Sequence, residues 1–270
     1  FRVPGAMPVW DFRVPGVTSM SADIHKFGYA AKGASVLLYR DMNYLRHQFF
    51  VATSWSGGIY ISPTMAGTRP GGPIAAAWAA MHAMGAEGYM ERARMLWEAA
   101  QNLRAELSRI PGIQVLGLPH SPVVSYTSTE IDIYAVADLL QEKGWSLDRQ
   151  QYPPSIHCTV GSANLPVIDT YVADIREAVK HVRAHPELSK EGGAAVYGLM
   201  ARVPVRGLVK REVLKLMESM YGPEGGDLDL DAGDDDPMRQ FIDQYGDTLF
   251  GAIDAVKKSP VGRAVKWLRR

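Results

Sequence analysis

The chain has 270 residues, and its 29 basic residues balance its 29 acidic ones, so the formal net charge at pH 7 is zero. A balanced charge gives no overall field that attracts nucleic acid, and we expect no nucleic-acid partner. The single cysteine, Cys158, excludes an internal disulfide and any multi-cysteine metal site, and it is consistent with a reducing compartment.

The longest apolar stretch without charge spans about residues 73–86. It is shorter than the ~20 apolar residues that a membrane-spanning helix needs. No signal-peptide pattern opens the chain. We therefore expect a soluble, cytoplasmic protein. The chain begins with Phe rather than Met, and residues 1–5 recur as residues 12–16. This repeated five-residue segment is too short for a structural repeat, and we expect the chain to begin inside a longer protein.

The first predicted element is a pair of strands joined by a tight loop, over residues 19–40. Small residues lead into Asp23, His25 and Lys26, and the β-branched and apolar run 33–39 predicts a buried strand. Lys26 is therefore expected where one strand ends and the loop begins. A lysine in such a place can act as a nucleophile towards a carbonyl, whereas most lysines simply extend into water.

The next segment is rich in turn-forming residues. Residues 41–50 mix charged and aromatic side chains and predict a short helix or a loop. Glycines and prolines between 57 and 73 predict irregular backbone. This segment is either a plain surface loop or an anion site formed by its amides and by hydroxyls such as that of Thr68.

Strands and amphipathic helices then alternate, which predicts an α+β or α/β domain of about 120 residues. The predicted helices are 74–86, 87–110, 133–143, 167–184 and 206–221, and the predicted strands are 113–116, 123–126, 145–147 and 155–160. In the helix over 87–110 the expected apolar face contains Met90, Ala93, Leu96, Trp97, Leu103 and Leu107.

The end of the chain has a different composition. Seven acidic residues and no basic one lie between 224 and 236, but Ala232 occupies the position where a calcium loop needs glycine, so a solvated linker is expected. Residues 237–268 predict a helix with a basic end, which is either a soluble terminal helix or a peripheral membrane contact. His181 and His185 are four residues apart without a visible third ligand, and no metal site is expected.

Two segments together resemble a known family. Residues 21–33 (Ser-Ala-Asp-Ile-His-Lys-Phe-Gly-Tyr-Ala-Ala-Lys-Gly) are similar to the cofactor-lysine segment of the pyridoxal-phosphate-dependent group II decarboxylase-like enzymes. Residues 53–72 resemble the same family at the expected separation. Within it, the similarity is greatest to the sphingosine-1-phosphate lyases.

The resemblance implies an α/β, fold-type-I pyridoxal-phosphate transferase-like structure. Residues 1–86 would be the C-terminal part of a truncated cofactor-binding large domain, and residues 87–221 an α+β small domain. The resemblance ends at about Tyr221, and residues 222–270 are expected from their composition alone to form an acidic linker and a basic helical tail. The strand within 36–39 would lie in a sheet that lacks other strands, and its exposed apolar edge invites dimerisation or aggregation.

The resemblance also implies roles for four residues. Lys26 would hold pyridoxal 5′-phosphate as an internal Schiff base and act as the catalytic residue, and His25 would hydrogen-bond the cofactor phosphate. Lys32 would help to hold a phosphate on the substrate. Thr68 would be contributed to the cofactor phosphate of the opposite subunit, because active sites in this family lie at the interface of a homodimer.

The implied reaction is a carbon–carbon (aldehyde) lyase cleavage of a phosphorylated, lipid-like amino alcohol, giving a fatty aldehyde and phosphoethanolamine. Two alternatives remain: a pyridoxal-phosphate-dependent amino-acid decarboxylase, and a non-catalytic assembly module. Enzymes of this fold pair the pyridine nitrogen with an aspartate ahead of the cofactor lysine, and Asp11, in Trp-Asp-Phe-Arg, does not match that motif. The chain by itself is therefore expected to be a catalytically incomplete portion of a lyase.

Overall fold

The computed structural model of the chain describes residues 8–64, 66–118 and 120–190, and eight single positions between 193 and 221. The predicted helix 206–221 therefore lies almost wholly outside the described residues, as do the acidic segment and the basic tail. Within the described residues, no helix is both long and apolar enough to span a bilayer.

The chain divides into two compact units, Phe1–Trp97 and Glu98–Arg270. The three-part division expected from the resemblance stays a prediction.

The first unit begins with an antiparallel hairpin of β1 (Ser19–Asp23) and β2 (Ser35–Tyr39), in which Ser19 lies opposite Tyr39. The predicted strand pair is confirmed. The prediction that the second strand is buried is wrong, because Val36, Leu37 and Leu38 are 39–50% exposed. Among the described strands β2 pairs with β1 alone, and side chains on both of its faces remain partly exposed.

A short helical segment follows the hairpin. Helix α1 (Met42–Leu45) begins after Asp41, whose carboxylate accepts a hydrogen bond from the Asn43 backbone nitrogen, and a 3-10 turn continues over Arg46–Gln48. Of the two expectations for this segment, the short helix is the one observed.

A second hairpin consists of β3 (Phe50–Trp55) and β4 (Gly58–Ser62), and β4 lies in the segment 57–73 for which irregular backbone was predicted. Its strands are antiparallel, with Phe50 opposite Ser62. Gly57 and Gly58, which indicated a loop, are confined to the turn of this hairpin. Gly57 lies in the two-residue connection, and Gly58, with a φ of 104°, is the first residue of β4. Two runs of β-branched and aromatic residues around a Ser-Gly pair are the signal that predicts such a hairpin.

The two predicted helices over 74–110 form one helical run, α2 (Gly71–Ser108), interrupted at Gly85. Gly85 has a φ of 60° and a ψ of 175°, a conformation outside the helical region that glycine tolerates. Beyond the break, Leu96, Leu103 and Leu107 are buried as expected, whereas Met90 is 52% exposed.

The second unit contains an antiparallel sheet with the strand order β5-β6-β8-β7. Its strands are β5 (Gln114–Leu116), β6 (Val123–Thr127), β7 (Asp148–Gln151) and β8 (Pro154–Thr159), and its helices are α3 (Ile133–Glu142) and α4 (Ile168–Ala184). The sequence predicted this alternation of strands and helices.

The predicted strand over 145–147 is wrong. The strand begins only at Asp148, and Trp145 is used for packing instead. Its ring centroid lies 4.8 Å from that of Tyr171, and its indole nitrogen donates a hydrogen bond of 2.8 Å to Asp174. The apolar character of this segment thus comes from a helix contact rather than from sheet pairing.

Sheet and helices of the second unit share one hydrophobic core. Its fully buried side chains include Leu107, Val124, Tyr126, Val136, Leu140, Ile156 and Ile175. The hydroxyls of Tyr126 and Tyr171 form a hydrogen bond with each other, with an oxygen–oxygen distance of 2.7 Å. Burial also raises the pKa of the Cys158 thiol to about 12, so this cysteine is a protonated, unreactive packing residue.

Asp174 makes the stability of this unit depend on pH. Hydrogen bonds from Lys143 and from Trp145 lower the pKa of its carboxyl group. A carboxylate with a lowered folded-state pKa stabilises the fold above its unfolded pKa, and loses that effect as the pH falls through the folded value. We expect Asp174→Asn to lower the melting temperature at neutral pH but not in acid. A difference that stays constant across a pH series of thermal unfolding would contradict this.

Candidate active site

Lys26 lies in the connection between β1 and β2, just after the first strand ends. Three backbone hydrogen bonds tighten this turn: Lys26 nitrogen to Asp23 oxygen at 3.1 Å, Tyr29 nitrogen to Lys26 oxygen at 3.0 Å, and Ala30 nitrogen to Ile24 oxygen at 3.1 Å. The backbone at Lys26 is therefore held from both sides.

Gly28 is required at the centre of this turn. A Cβ at position 28 would lie 2.4 Å from the carbonyl oxygen of Ile24, closer than any real contact. Tyr29 follows with a φ of 58°, a left-handed conformation that few side chains adopt. The Tyr89 hydroxyl donates a hydrogen bond of 2.8 Å to the Gly28 carbonyl oxygen and ties the turn to α2.

We predict that Gly28→Ala disrupts the Lys26 turn, because the clash is with backbone and cannot be relieved by a side-chain rotation. Hydrogen exchange of the amides over residues 24–30 would report the loss as faster exchange. Gly67→Ala is the matched control, since a Cβ at position 67 meets nothing within 4 Å. Equal exchange in the two variants would contradict the prediction.

The Lys26 side chain is not desolvated but paired. Its Nζ lies 2.9 Å from Oδ2 of Asp23, and the Lys26 side chain is 67% exposed. The other Asp23 oxygen accepts a hydrogen bond of 2.6 Å from Ser35, which stands opposite it in the hairpin. Hydrogen bonds from Ser35 and Lys26 lower the pKa of Asp23, which is therefore a carboxylate at neutral pH. Asp23 thus orients the lysine amine.

His25 and Lys32 belong to the same connection as Lys26. Nδ1 of His25 donates a hydrogen bond of 3.2 Å to the Ala34 carbonyl oxygen, and its Nε2 is left for another partner. Lys32 is exposed, next to Gly33, whose φ of 114° turns the chain into β2. One loop therefore carries three of the four residues that the sequence singled out.

Thr68 lies on a different loop, between β4 and α2, and is exposed. Side chains fold this loop back on itself: Ser62 donates to the Thr64 carbonyl oxygen at 2.5 Å, and Arg69 donates to the Thr64 hydroxyl at 2.7 Å. Helix α2 begins at Gly71, so the loop ends at the electropositive end of a helix. None of the described hydrogen bonds joins Thr68 to the Lys26 loop.

A cavity of about 630 Å³ adjoins Lys26. Lys26 and Asp23 supply its charged groups, and most of the remaining wall is apolar: Ala22, Ile24, Phe27, Met81, Ala86, Tyr89 and Met90. The sequence did not indicate the residues of α2 in this wall, since they are about sixty positions away from Lys26. Gly85 is the sequence signal that could have indicated this wall, because it marks a helix break between Met81 and Met90.

A second cavity, of about 700 Å³, lies in the second unit, but its chemistry is weaker. Its charged residues include Arg183 and Glu130, which pair with each other at 2.9 Å. It contains no lysine or cysteine nucleophile among its described residues. We therefore place the candidate active site at Lys26.

Asp11 is paired with Arg13 at the protein surface. Both of its carboxylate oxygens bind the Arg13 guanidinium, each at 2.8 Å, and these hydrogen bonds lower the pKa of Asp11 to about 2. In the part of the chain that the structure describes, no three His, Cys, Asp or Glu side chains form a metal site. His181 and His185 stack on each other, with ring centroids 4.3 Å apart.

Comparison with known proteins gives one consistent result, although no family model matches the chain. A sphingosine-1-phosphate lyase of Arabidopsis thaliana is 42% identical over 215 residues, which covers 80% of this chain and 40% of that protein. The solved structure of the sphingosine-1-phosphate lyase of Burkholderia pseudomallei is 37% identical, with a TM-score of 0.66 over 79% of this chain and 44% of that one.

A glutamate decarboxylase of Lactobacillus brevis, 22% identical with a TM-score of 0.53 over 64% of this chain and 42% of that one, shares the fold alone. The chain spans about 40% of the length of the curated relatives that it matches. The expected fold type and the expected relationship are both confirmed. The chain is a homologue of the sphingosine-1-phosphate lyases, with the fold-type-I architecture of pyridoxal-phosphate enzymes over the residues that it shares with them.

Proposed function

We propose that the protein to which this chain belongs is a pyridoxal-phosphate-dependent carbon–carbon lyase. Its substrate would be a phosphorylated long-chain amino alcohol, similar to sphingosine-1-phosphate, and its products a fatty aldehyde and phosphoethanolamine. The observation that carries the proposal is the position of Lys26, an amine held by a constrained turn beside a 630 Å³ cavity. Bound there, the cofactor supplies an electron sink for the carbon that bears the amine.

The residues around Lys26 fit the attachment of such a cofactor. Lys26 provides the primary amine that a cofactor aldehyde requires, and Asp23, held by Ser35, orients it. The backbone hydrogen bonds of the turn would hold Lys26 in place, so that its amine could also move a proton at the bound substrate. The free Nε2 of His25 suits a hydrogen bond to the cofactor phosphate.

Two further residues suit phosphate groups. Lys32 is an exposed ammonium group on the same loop as Lys26, and we assign it to the substrate phosphate. Thr68, on the loop three residues before α2 begins, is assigned to the cofactor phosphate of the opposite subunit in a homodimer.

By itself, the chain fits only part of a lyase site. Asp11, which is paired with Arg13, lies in a Trp-Asp-Phe-Arg context that does not match the aspartate motif for the pyridine nitrogen. We therefore propose that these 270 residues bind and orient but do not complete the reaction alone. We also propose a cytoplasmic location. A contact between the basic residues after position 256 and a membrane surface would suit a lipid-like substrate.

The lyase and decarboxylase alternatives predict different products. The intact enzyme should release a long-chain aldehyde from the phosphorylated amino alcohol, and it should release no carbon dioxide from amino acids such as glutamate. Amino-acid decarboxylation remains the alternative because the chain shares its fold with a glutamate decarboxylase. Carbon dioxide release without aldehyde would reverse the assignment.

We predict that Lys32→Ala lowers kcat/KM for the phosphorylated substrate by about tenfold to a hundredfold, since a hydrogen bond to a charged group contributes about 1.5–3 kcal/mol. The same substitution should leave the unphosphorylated amino alcohol unaffected, because that substrate has no group for Lys32 to bind. Steady-state kinetics on the two substrates make the comparison. Equal losses on both would remove Lys32 from the phosphate site.

A further inference from the structure

One face of α2 contacts the centre of the turn that carries Lys26. The Tyr89 hydroxyl donates its 2.8 Å hydrogen bond to the Gly28 carbonyl oxygen across 61 positions of sequence. The next residue of the turn, Tyr29, has the Arg92 guanidinium 5.8 Å from the centre of its ring, which is within the range of a cation–π contact. Tyr89 and Arg92 are three positions apart and therefore share a face of the helix.

The same loop contacts α2 at a second place. A Cβ at position 33 would lie 3.1 Å from carbon atoms of the Pro73 ring, so Gly33 lies directly against the first turn of α2. Pro73 precedes the helix break at Gly85, and Tyr89 follows it. The loop is therefore attached to both helical segments of α2.

A single peptide group connects Tyr89 with the backbone of Lys26. The carbonyl of Gly28 and the amide of Tyr29 belong to one planar unit. Its oxygen accepts the hydrogen bond from Tyr89, and its nitrogen donates the 3.0 Å hydrogen bond to the Lys26 carbonyl oxygen. Tyr29 has a φ of 58°, a conformation that a side chain of this size adopts only when its surroundings hold it. Tyr89 thus fixes the orientation of the peptide group that holds Lys26.

We propose that Tyr89 is a positioning residue for Lys26. Acting through the Gly28–Tyr29 peptide group, it holds the backbone from which the Lys26 amine reaches the cofactor aldehyde. The inference rests on the proposed function, which assigns Lys26 to pyridoxal 5′-phosphate. Tyr89 also lines the cavity, but this role requires no contact between Tyr89 and the cofactor or substrate.

Tyr89→Phe in the intact enzyme tests this role, because it removes the hydroxyl and keeps the ring. Hydrogen exchange of the amides over residues 24–30 should become about twofold to tenfold faster, as expected for the loss of one hydrogen bond. The cofactor is then removed and returned as pyridoxal 5′-phosphate, and borohydride reduction at short times gives the rates of attachment at Lys26 and Lys32. The rate at Lys26 should fall by a similar factor. The rate at Lys32, which lies outside the hydrogen-bonded turn, should not change.

Tyr39→Phe is the matched control. The Tyr39 hydroxyl also donates a hydrogen bond of 2.8 Å, but to Gln48 and from the end of β2 away from the turn. This substitution should alter neither the exchange over residues 24–30 nor the attachment at Lys26.

The outcomes separate a positioning role from a purely structural one. Unchanged exchange in Tyr89→Phe overturns the proposal, and so does faster exchange with an unchanged rate at Lys26, because Tyr89 would then only stabilise the turn. Equal losses at Lys26 and Lys32, or equal losses in Tyr39→Phe, also overturn it, since the effect would not be local. An unsubstituted enzyme that forms no adduct at residue 26 contradicts the proposed function itself, and this is seen before any variant is compared.

Discussion

Lys26→Ala should abolish the covalent attachment of pyridoxal 5′-phosphate at the candidate site. The attachment needs a primary amine at the cofactor aldehyde, and alanine provides none. Lys26 is the amine that the turn holds at the cavity, through the hydrogen bonds of its backbone and the 2.9 Å contact with Asp23. The expected change is complete loss rather than a reduced rate.

The measurement is borohydride reduction of the cofactor-treated protein, followed by peptide mass spectrometry. Lys32→Ala is the matched control, because it removes a lysine six positions away on the same loop and should leave the adduct on residue 26. Attachment that moves to other lysines in Lys26→Ala at an undiminished yield would show that the site is not selective. An intact enzyme with no adduct at all would favour the non-catalytic assembly module.

Asp138→Ala should be the most destabilising single substitution in the second unit that involves a charge. Asp138 lies 2.5 Å from the Arg149 guanidinium, whose side chain is only 9% exposed, and it also accepts a hydrogen bond from the Ala194 backbone nitrogen at 2.7 Å. Removing the carboxylate leaves a buried positive charge without this partner. Breaking a buried ion pair in this way costs about 3–5 kcal/mol.

The double substitution Asp138→Leu with Arg149→Met serves as the control. Burial raises the pKa of Asp138, which indicates that keeping this carboxylate charged is itself costly. Replacing both charges by apolar side chains should therefore recover most of the stability lost in Asp138→Ala. Chemical denaturation of the three proteins gives the free energies of unfolding. A double variant as unstable as the single one would show that the hydrogen bond to Ala194, rather than the charge, is decisive.

The local features of the Lys26 loop could be predicted from sequence because neighbouring residues produce them. The strand end, the glycine-containing turn and the adjacent His25 are all encoded within a dozen positions. The β3–β4 hairpin was missed because its glycines were interpreted as a loop, although the strands on both sides carry β-branched and aromatic residues. Trp145 was assigned to a strand because apolar residues alone do not distinguish sheet pairing from packing on a helix.

The sequence by itself determined the elements of the second unit apart from β7, the helix break near Gly85 and the position of Lys26 at a strand end, because periodicity and turn chemistry act over short distances. Only the tertiary structure decided that Lys26 pairs with Asp23 and adjoins a cavity lined by Met81 and Tyr89, and that β2 is exposed on both faces. These features depend on which distant segments meet in space. Packing between distant segments has no local signature in the sequence.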